Sequence, residues 1–262
     1  MRAMVAAWRL SRTVLHLLHG LLVMSARFRR LDAAGRQQWI QWWSASLLRL
    51  LGVGCTVHGT PQRGATLLVA NHVSWLDFAA IHAAAPQARF VAKADVKRWP
   101  LIGALVSRAG TLFIERASKR DALRVVHQVA HALRAGDMVA VFPEGTTGAG
   151  PVLLPFHANL LQAAIATDTP VQPVVLRFYQ PGQAFSAATE FIGSTSLARS
   201  VWRIACAQGL CVQVQWLPTQ ASTQADRRQL AAALHASISQ MLQAPWAVPR
   251  RDEPSAGAGA HV

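Results

Sequence analysis

The stretch Leu67-Leu68-Val69-Ala70-Asn71-His72-Val73-Ser74-Trp75-Leu76-Asp77 sets a histidine and an aspartate five residues apart, directly after a short apolar run. Four consecutive apolar residues of this kind read as a buried strand. At about 100° per residue, positions i and i+5 lie about 140° apart around a helix, so His72 and Asp77 cannot meet inside one straight helix. A strand ending near Ala70, a turn carrying His72 and a helix opening near Ser74, a suitable N-cap, would fold the imidazole back onto the carboxylate. The pair then sits at the C-terminal edge of a sheet, where α/β proteins commonly place their sites. Chemically it reads as a general base and its orienter. A neutral imidazole can take a proton from a hydroxyl, and a carboxylate on its other nitrogen fixes the tautomer and stabilises the imidazolium. Alone the signal is weak, because the chain has ten histidines and a structural pair is the plain alternative.

Outward from this segment, apolar runs at 67–70, 90–92, 111–114, 138–142, 171–178 and 211–216 read as strands. Helical patterns fall near 119–135, 157–167 and 225–243. Short strands alternating with helices predict an α/β fold with a layered central sheet flanked by helices. The expected organisation is an N-terminal helical membrane-associating segment over 1–52, an α/β domain over 53–244, and a disordered tail over 245–262 that is rich in Pro, Gly and Ala.

Three further segments follow in order: Gly110-Thr111-Leu112-Phe113-Ile114-Glu115-Arg116, then Phe142-Pro143-Glu144-Gly145-Thr146-Thr147, then Val171-Gln172-Pro173-Val174-Val175-Leu176. With Asn-His-x4-Asp they resemble the four ordered blocks of the glycerolipid acyltransferase family, of the lysophosphatidic acid acyltransferase type. The likeness covers roughly residues 45 to 180. Ala92-Lys93-Ala94-Asp95 and Trp99-Pro100-Leu101-Ile102-Gly103 also resemble the family's link between its first two blocks.

The resemblance implies transfer of a fatty acyl group from a thioester, acyl-CoA or acyl-acyl-carrier protein, to the free hydroxyl of a lysolipid. For 1-acylglycerol-3-phosphate the product is phosphatidic acid, a phospholipid precursor. His72 would be the base and Asp77 its orienter, with no protein nucleophile, cofactor or metal required. The substrate-binding residues it implies are Asn71, Phe113, Arg116, Glu144, Gly145 and Thr146. Arg116 follows a β-like run and offers a planar guanidinium suited to bidentate capture of a phosphate. Pro143 breaks the preceding strand, which places Glu144 and Gly145 on a loop whose glycine lets backbone approach a ligand. Lys93 reads either as a second cation for an anionic headgroup or as a solvated surface lysine.

Two departures bear on the acceptor. Many family members continue the third block with an arginine and later show Phe-Lys-x-Gly, where this chain has Thr147 and Phe156-His157-Ala158-Asn159. The reaction type is untouched, but another lysolipid, such as a lyso-ornithine lipid, stays open as acceptor.

The formal net charge is +14, from 23 arginines and three lysines against 12 acidic residues, while 52% of residues are hydrophobic. Nucleic acid and anionic membrane are the obvious targets of such a chain. No zinc-finger, RNP or basic-zipper pattern appears, and the cations cluster beside apolar residues, so a membrane surface is expected and nucleic acid is not. Residues 13–26 form a nearly apolar run of 14 flanked by arginines. At full helical rise that run covers about 21 Å, short of a bilayer core of about 30 Å. It suits an interfacial helix anchored by snorkelling arginines. Trp39 to Leu51 either completes a hairpin at the interface or packs on the domain as an ordinary helix. Basic residues after the apolar run oppose a cleaved signal peptide and place the chain on the cytoplasmic face of the inner membrane.

Cys55, Cys206 and Cys211 form no paired framework and are expected in the core of a protein from a reducing compartment. His127 and His131 stand four apart, but Gln128 follows the first where a zinc protease has glutamate. His16 and His19 read as polar interruptions on an interfacial helix. No Gly-x-Ser-x-Gly elbow supports an esterase. The non-enzymatic competitor is a basic membrane-binding module whose His-Asp pair is structural.

Overall fold

The computed structural model describes residues 2–99, 102–114 and 119–244. Its strands are β1 (Gly54–His58), β2 (Thr66–Ala70), β3 (Arg89–Lys93), β4 (Leu112–Ile114), β5 (Met138–Val141), β6 (Val171–Tyr179) and β7 (Cys211–Trp216). The helices are α1 (Arg2–Ala26), α2 (Ala33–Leu51), α3 (Asp77–Ala84), α4 (Ile102–Arg108), α5 (Lys119–Arg134), α6 (Leu161–Ile165), α7 (Leu197–Cys206) and α8 (Arg227–Gln243).

The strands make one seven-stranded mixed sheet, in the order β1-β7-β6-β2-β5-β3-β4. Only the β6–β7 pairing is antiparallel among those described. Central strand β2 pairs in register with β5 (Leu67 with Val139) and β6 (Leu67 with Val171). Every residue of β2, β5 and β6 is buried, which is why they read as mainly apolar runs, with Gln172 and Arg177 as buried polar exceptions in β6: a strand covered on both faces has no solvent side to make polar.

Successive residues point to opposite faces, so the sheet divides the interior into two cores. Leu68, Ala70, Phe90, Leu176 and Val214 pack against α2, α3 and Ile204 of α7. Leu67, Val69, Val139, Val141 and Val175 pack against α5, α6 and α8. Truncating a fully buried leucine such as Leu67 or Leu68 to alanine would cost about 2–5 kcal/mol.

The N-terminal segment forms a helical hairpin. Asp32 caps α2, its side chain accepting from Gly35 N–H at 2.8 Å. Gly52 ends the helix at φ +79°, a left-handed conformation that favours glycine, with its N–H returning to Arg49 O. Leu47, Leu48 and Leu51 join the same core as the sheet, so α2 is packed on the domain rather than held apart from it. Arg9 of α1 donates to Ala205 O (2.9 Å) and Ala207 O (2.8 Å), at the end of α7.

Several expectations need correction. Ser74 does not cap a helix. It sits in a turn where its Oγ accepts from Leu76 N–H, and α3 begins at Asp77. The cysteines are not core residues: Cys55 is exposed on an edge strand, and Cys206 and Cys211 are half-buried. His16 is no polar interruption on an interface. It is buried in the hairpin, stacked on Trp43 (4.9 Å) with Nε2 bonded to Trp43 O at 2.9 Å, and burial lowers its pKa. The helix expected over 157–167 is a 3-10 turn, Ala158–Leu160, followed by the short α6. The tail expected from 245 to 262 lies outside the described residues.

Candidate active site

The parallel strands β2, β3 and β5 all end on one edge of the sheet, and the loops leaving them hold the conspicuous polar groups. After β2 the chain turns at Asn71 and His72 and re-enters as α3. Because α3 starts at Asp77, the carboxylate lies in the first turn and faces back over the loop. Asp77 is fully buried, and its Oδ2 accepts from His72 Nδ1 (2.6 Å), Val73 N–H (2.8 Å) and Ser74 N–H (3.0 Å). An ionised carboxylate only accepts, so Nδ1 carries the proton and Nε2 is the basic nitrogen.

A second carboxylate holds the other side of the histidine. Glu144 Oε1 accepts from the His72 backbone N–H at 2.7 Å, while Oε2 accepts from Leu154 N–H at 2.8 Å. The His72 carbonyl accepts from Gly148 N–H at 2.7 Å. Burial raises the pKa of Glu144, opposed by those two backbone bonds. The block Phe142-Pro143-Glu144-Gly145 forms this support as a turn in which Gly145 N–H returns to Phe142 O at 3.1 Å. Gly145 itself stands at φ +73°.

The imidazole lies flat on the Phe142 ring, with centroids 4.1 Å apart and planes at 17°, and Phe78 meets it edge-on at 6.1 Å. His72 lines a mainly apolar cavity of about 490 Å³. Its walls come from α1 and α2 (Leu17, Trp39, Leu47), from α3 and α4 (Phe78, Leu105), and from Gly145 and Thr146 after β5. An imidazole lining an apolar chamber suits a reaction in which one reactant carries a long hydrocarbon chain.

The structure distributes the expected substrate residues unevenly. Gly145 and Thr146 line the cavity beside His72, and exposed Lys93 stands at its rim. Glu144 is buried and turned towards the histidine backbone. Asn71 is buried too: its amide donates to Leu176 O (2.8 Å) and accepts from Leu176 N–H (2.7 Å), tying β2 to β6. Phe113 lines a neighbouring groove rather than the chamber, under the Lys97 ammonium. Arg116 lies outside the described residues. Among those residues, no group of three or more His, Cys, Asp or Glu is arranged to hold a metal.

Sequence reading missed Phe142 as the platform under the imidazole, although it stands in the quoted third block. It also missed the contribution of α1 and α2 to the chamber. Nothing in the spacing of a single chain shows which aromatic face a histidine will lie on, or which distant helices will roof it.

Residues 54–177 match the acyltransferase family. Over 196 residues the chain is 38% identical to the lyso-ornithine lipid O-acyltransferase of Pseudomonas aeruginosa, covering 75% of each chain. The chain belongs to the acyltransferase family. This acyltransferase is also 36% identical over 196 residues to the 1-acyl-sn-glycerol-3-phosphate acyltransferase of Neisseria meningitidis, covering 73% of this chain and 76% of that relative. Its fold matches the crystal structure of the 1-acyl-sn-glycerophosphate acyltransferase from Thermotoga maritima at a TM-score of 0.64, over 92% of this chain and 100% of that one. At 18% identity that likeness is one of fold. The resemblance read from the four motif blocks and the layered α/β architecture are both borne out, and the acyltransferase is an enzyme.

Proposed function

We propose that the acyltransferase moves a fatty acyl group from a thioester donor to the hydroxyl of a lysolipid at the membrane surface, with His72 as general base. The observation that carries this reading is the His72–Asp77 pair at the wall of the apolar chamber. His72 Nε2 takes the hydroxyl proton as the acceptor oxygen attacks the thioester carbonyl. The C–O bond forms, the C–S bond breaks, and the imidazolium returns its proton to the departing thiolate. Asp77 keeps Nδ1 protonated and stabilises the imidazolium, and Glu144 and Phe142 hold the ring in place. The apolar walls receive the hydrocarbon chain and keep bulk water from competing as acceptor.

The acceptor proposed is 1-acylglycerol-3-phosphate, giving phosphatidic acid. Lys93 at the rim and Arg116 in the second block supply cations for its phosphate. A lyso-ornithine lipid is the second reading. Thr147 favours it, because this residue stands where many relatives carry a cation and its hydroxyl is spent on Phe191 O.

Membrane association rests on α1. Met4, Trp8, Leu15, Leu18 and Leu22 are exposed at intervals of three, four and seven, which lines them along one side of the helix, and Trp42 of α2 is exposed as well. Among the described residues no helix is long and apolar enough to cross a membrane. The stripe, flanked by arginines, suits a helix lying in the interface on the cytoplasmic face.

The test is acyl transfer by purified protein from radiolabelled acyl-CoA and acyl-acyl-carrier protein to each of the two acceptors. Labelled phosphatidic acid supports the first reading, and labelled ornithine lipid with unreacted lysophosphatidic acid replaces it by the second. Failure of both acceptors with every donor would remove the proposal.

A further inference from the structure

Helix α5 has a face that this reaction does not use. Its inner side, Val125, Val129, Ala132 and Leu133, is buried against the sheet. On the outer side Arg124, His127 and His131 recur at intervals of three and four and are exposed, a stripe of one guanidinium and two imidazoles about 10 Å long. The stripe walls an open groove of about 550 Å³ whose other wall is β4 and the turn Ala94–Arg98. Lys97 adds a further cation, its ammonium 4.5 Å from the Phe113 ring centre. Arg89, also in the groove, is spent on Asp137 and Gly110 O. Exposed Leu123, one helical turn before His127, gives the positive surface an apolar spot.

Three observations define what fits here. The first is spacing: a single phosphate wants donors that converge, as in a bidentate clamp, whereas the Arg124 guanidinium, the two imidazoles strung along α5 and the Lys97 ammonium across the groove form an extended row of donors that matches a row of carboxylates on a facing helix. The second is direction. The core under α5 is the one on the opposite face of the sheet from α2 and α7, the helices on which α1 lies. A flat bilayer engaged by the apolar stripe of α1 therefore leaves the α5 face to the aqueous side. The third is position, since the groove adjoins the catalytic chamber. Val96 lines the chamber and Lys97 the groove, and Thr111 lines both.

We infer that the basic face of α5 docks an acidic acyl carrier protein, which delivers its thioester-linked chain to the chamber alongside. The inference rests on the acyl-transfer reading for its purpose, but docking can be measured without turnover.

Arg124→Glu reverses the charge of the stripe's guanidinium. Arg63→Glu makes the same charge change at an exposed position between β1 and β2. His131→Glu is a second variant within the stripe, and circular dichroism checks that each is folded. Binding of fluorescently labelled bacterial holo-acyl carrier protein is followed by anisotropy at low salt, and KM is measured with acyl-acyl-carrier protein and with acyl-CoA. The expected result is carrier binding weakened about tenfold by Arg124→Glu and His131→Glu, equivalent to about 1.4 kcal/mol, with KM for the acylated carrier rising in step. Arg63→Glu then matches wild type, and KM for acyl-CoA stays within about twofold throughout. Equal carrier binding by wild type and stripe variants would overturn the inference. A parallel rise in KM for acyl-CoA would do so too, assigning the groove to the phosphates of CoA. So would loss of binding to phosphatidylglycerol vesicles with carrier binding intact. If no donor supports turnover, the acyl-transfer reading fails while the anisotropy still decides the docking.

Discussion

His72 is held by two carboxylates that do different work. Asp77 bonds its ring and so sets which nitrogen is basic, whereas Glu144 bonds its backbone and so sets where the ring lies. Glutamine at position 144 keeps only one acceptor for two backbone donors, which loosens the histidine loop without touching the chamber wall. Glu144→Gln should lower kcat about tenfold or more with little change in KM for the acceptor, read from steady-state kinetics. A rise in KM at constant kcat would instead mark Glu144 as an acceptor ligand.

Another histidine, His82, gives the fold a pH dependence. Burial, edge-on to Phe90, pushes its imidazole from the ordinary 6.5 down to about 4, despite a 2.9 Å bond from Nε2 to Ala88 O. Between those values the unfolded chain binds a proton that the folded protein refuses. Stability is therefore full above 6.5 and falls as pH drops towards 4. Urea midpoints across this window should decline for wild type and decline less for His82→Gln.

At the scale of elements, legibility tracked burial. The runs in β2, β5 and β6 stood out because both faces of those strands are covered. Edge strand β1 went unread because Gly54–His58 is mostly exposed and carries no apolar alternation. α7 was missed as well, since its buried residues, Ser200, Ile204 and Ala205, are few and only one is large and apolar. The site divides the same way. His72 and Asp77 could be paired from spacing alone, because a strand-turn-helix is one of few local paths that brings them together. Asn71 and Phe113 could not be placed, since their surroundings come from β6 and α5, more than a local segment away. The hairpin depends on a contact equally invisible in sequence, the Arg9 bonds to the end of α7. Arg9→Ala leaves two carbonyls without their guanidinium donor and should cost about 1–3 kcal/mol in urea unfolding. An unchanged midpoint would mean that α1 is held by its apolar contacts and its bonds to α2, such as His16 to Trp43, without help from Arg9.

The whole molecule combines a net charge of +14 with an apolar stripe on α1 that is exposed among the described residues. Both properties favour an anionic bilayer, one through Coulomb attraction and the other through burial in the interface. Vesicles containing phosphatidylglycerol should bind the enzyme more tightly than phosphatidylcholine vesicles, and the difference should shrink as salt approaches about 0.5 M, because screening acts on the charge component alone. Replacing Trp8, Leu15 and Leu22 together by serine should weaken binding to both vesicle types while leaving the thermal midpoint near wild type. The chamber beside His72 is walled partly by the same hairpin, so the proposed function would join membrane docking to substrate capture.

The direct test of His72 as the catalytic base is the initial rate of acyl transfer by wild type and His72→Ala, at equal amounts of folded, vesicle-bound protein. The expected outcome is a loss of about 10²-fold or more, with vesicle binding and circular dichroism unchanged. Transfer at the wild-type rate by His72→Ala would contradict a base at His72 and make its pairing with Asp77 structural.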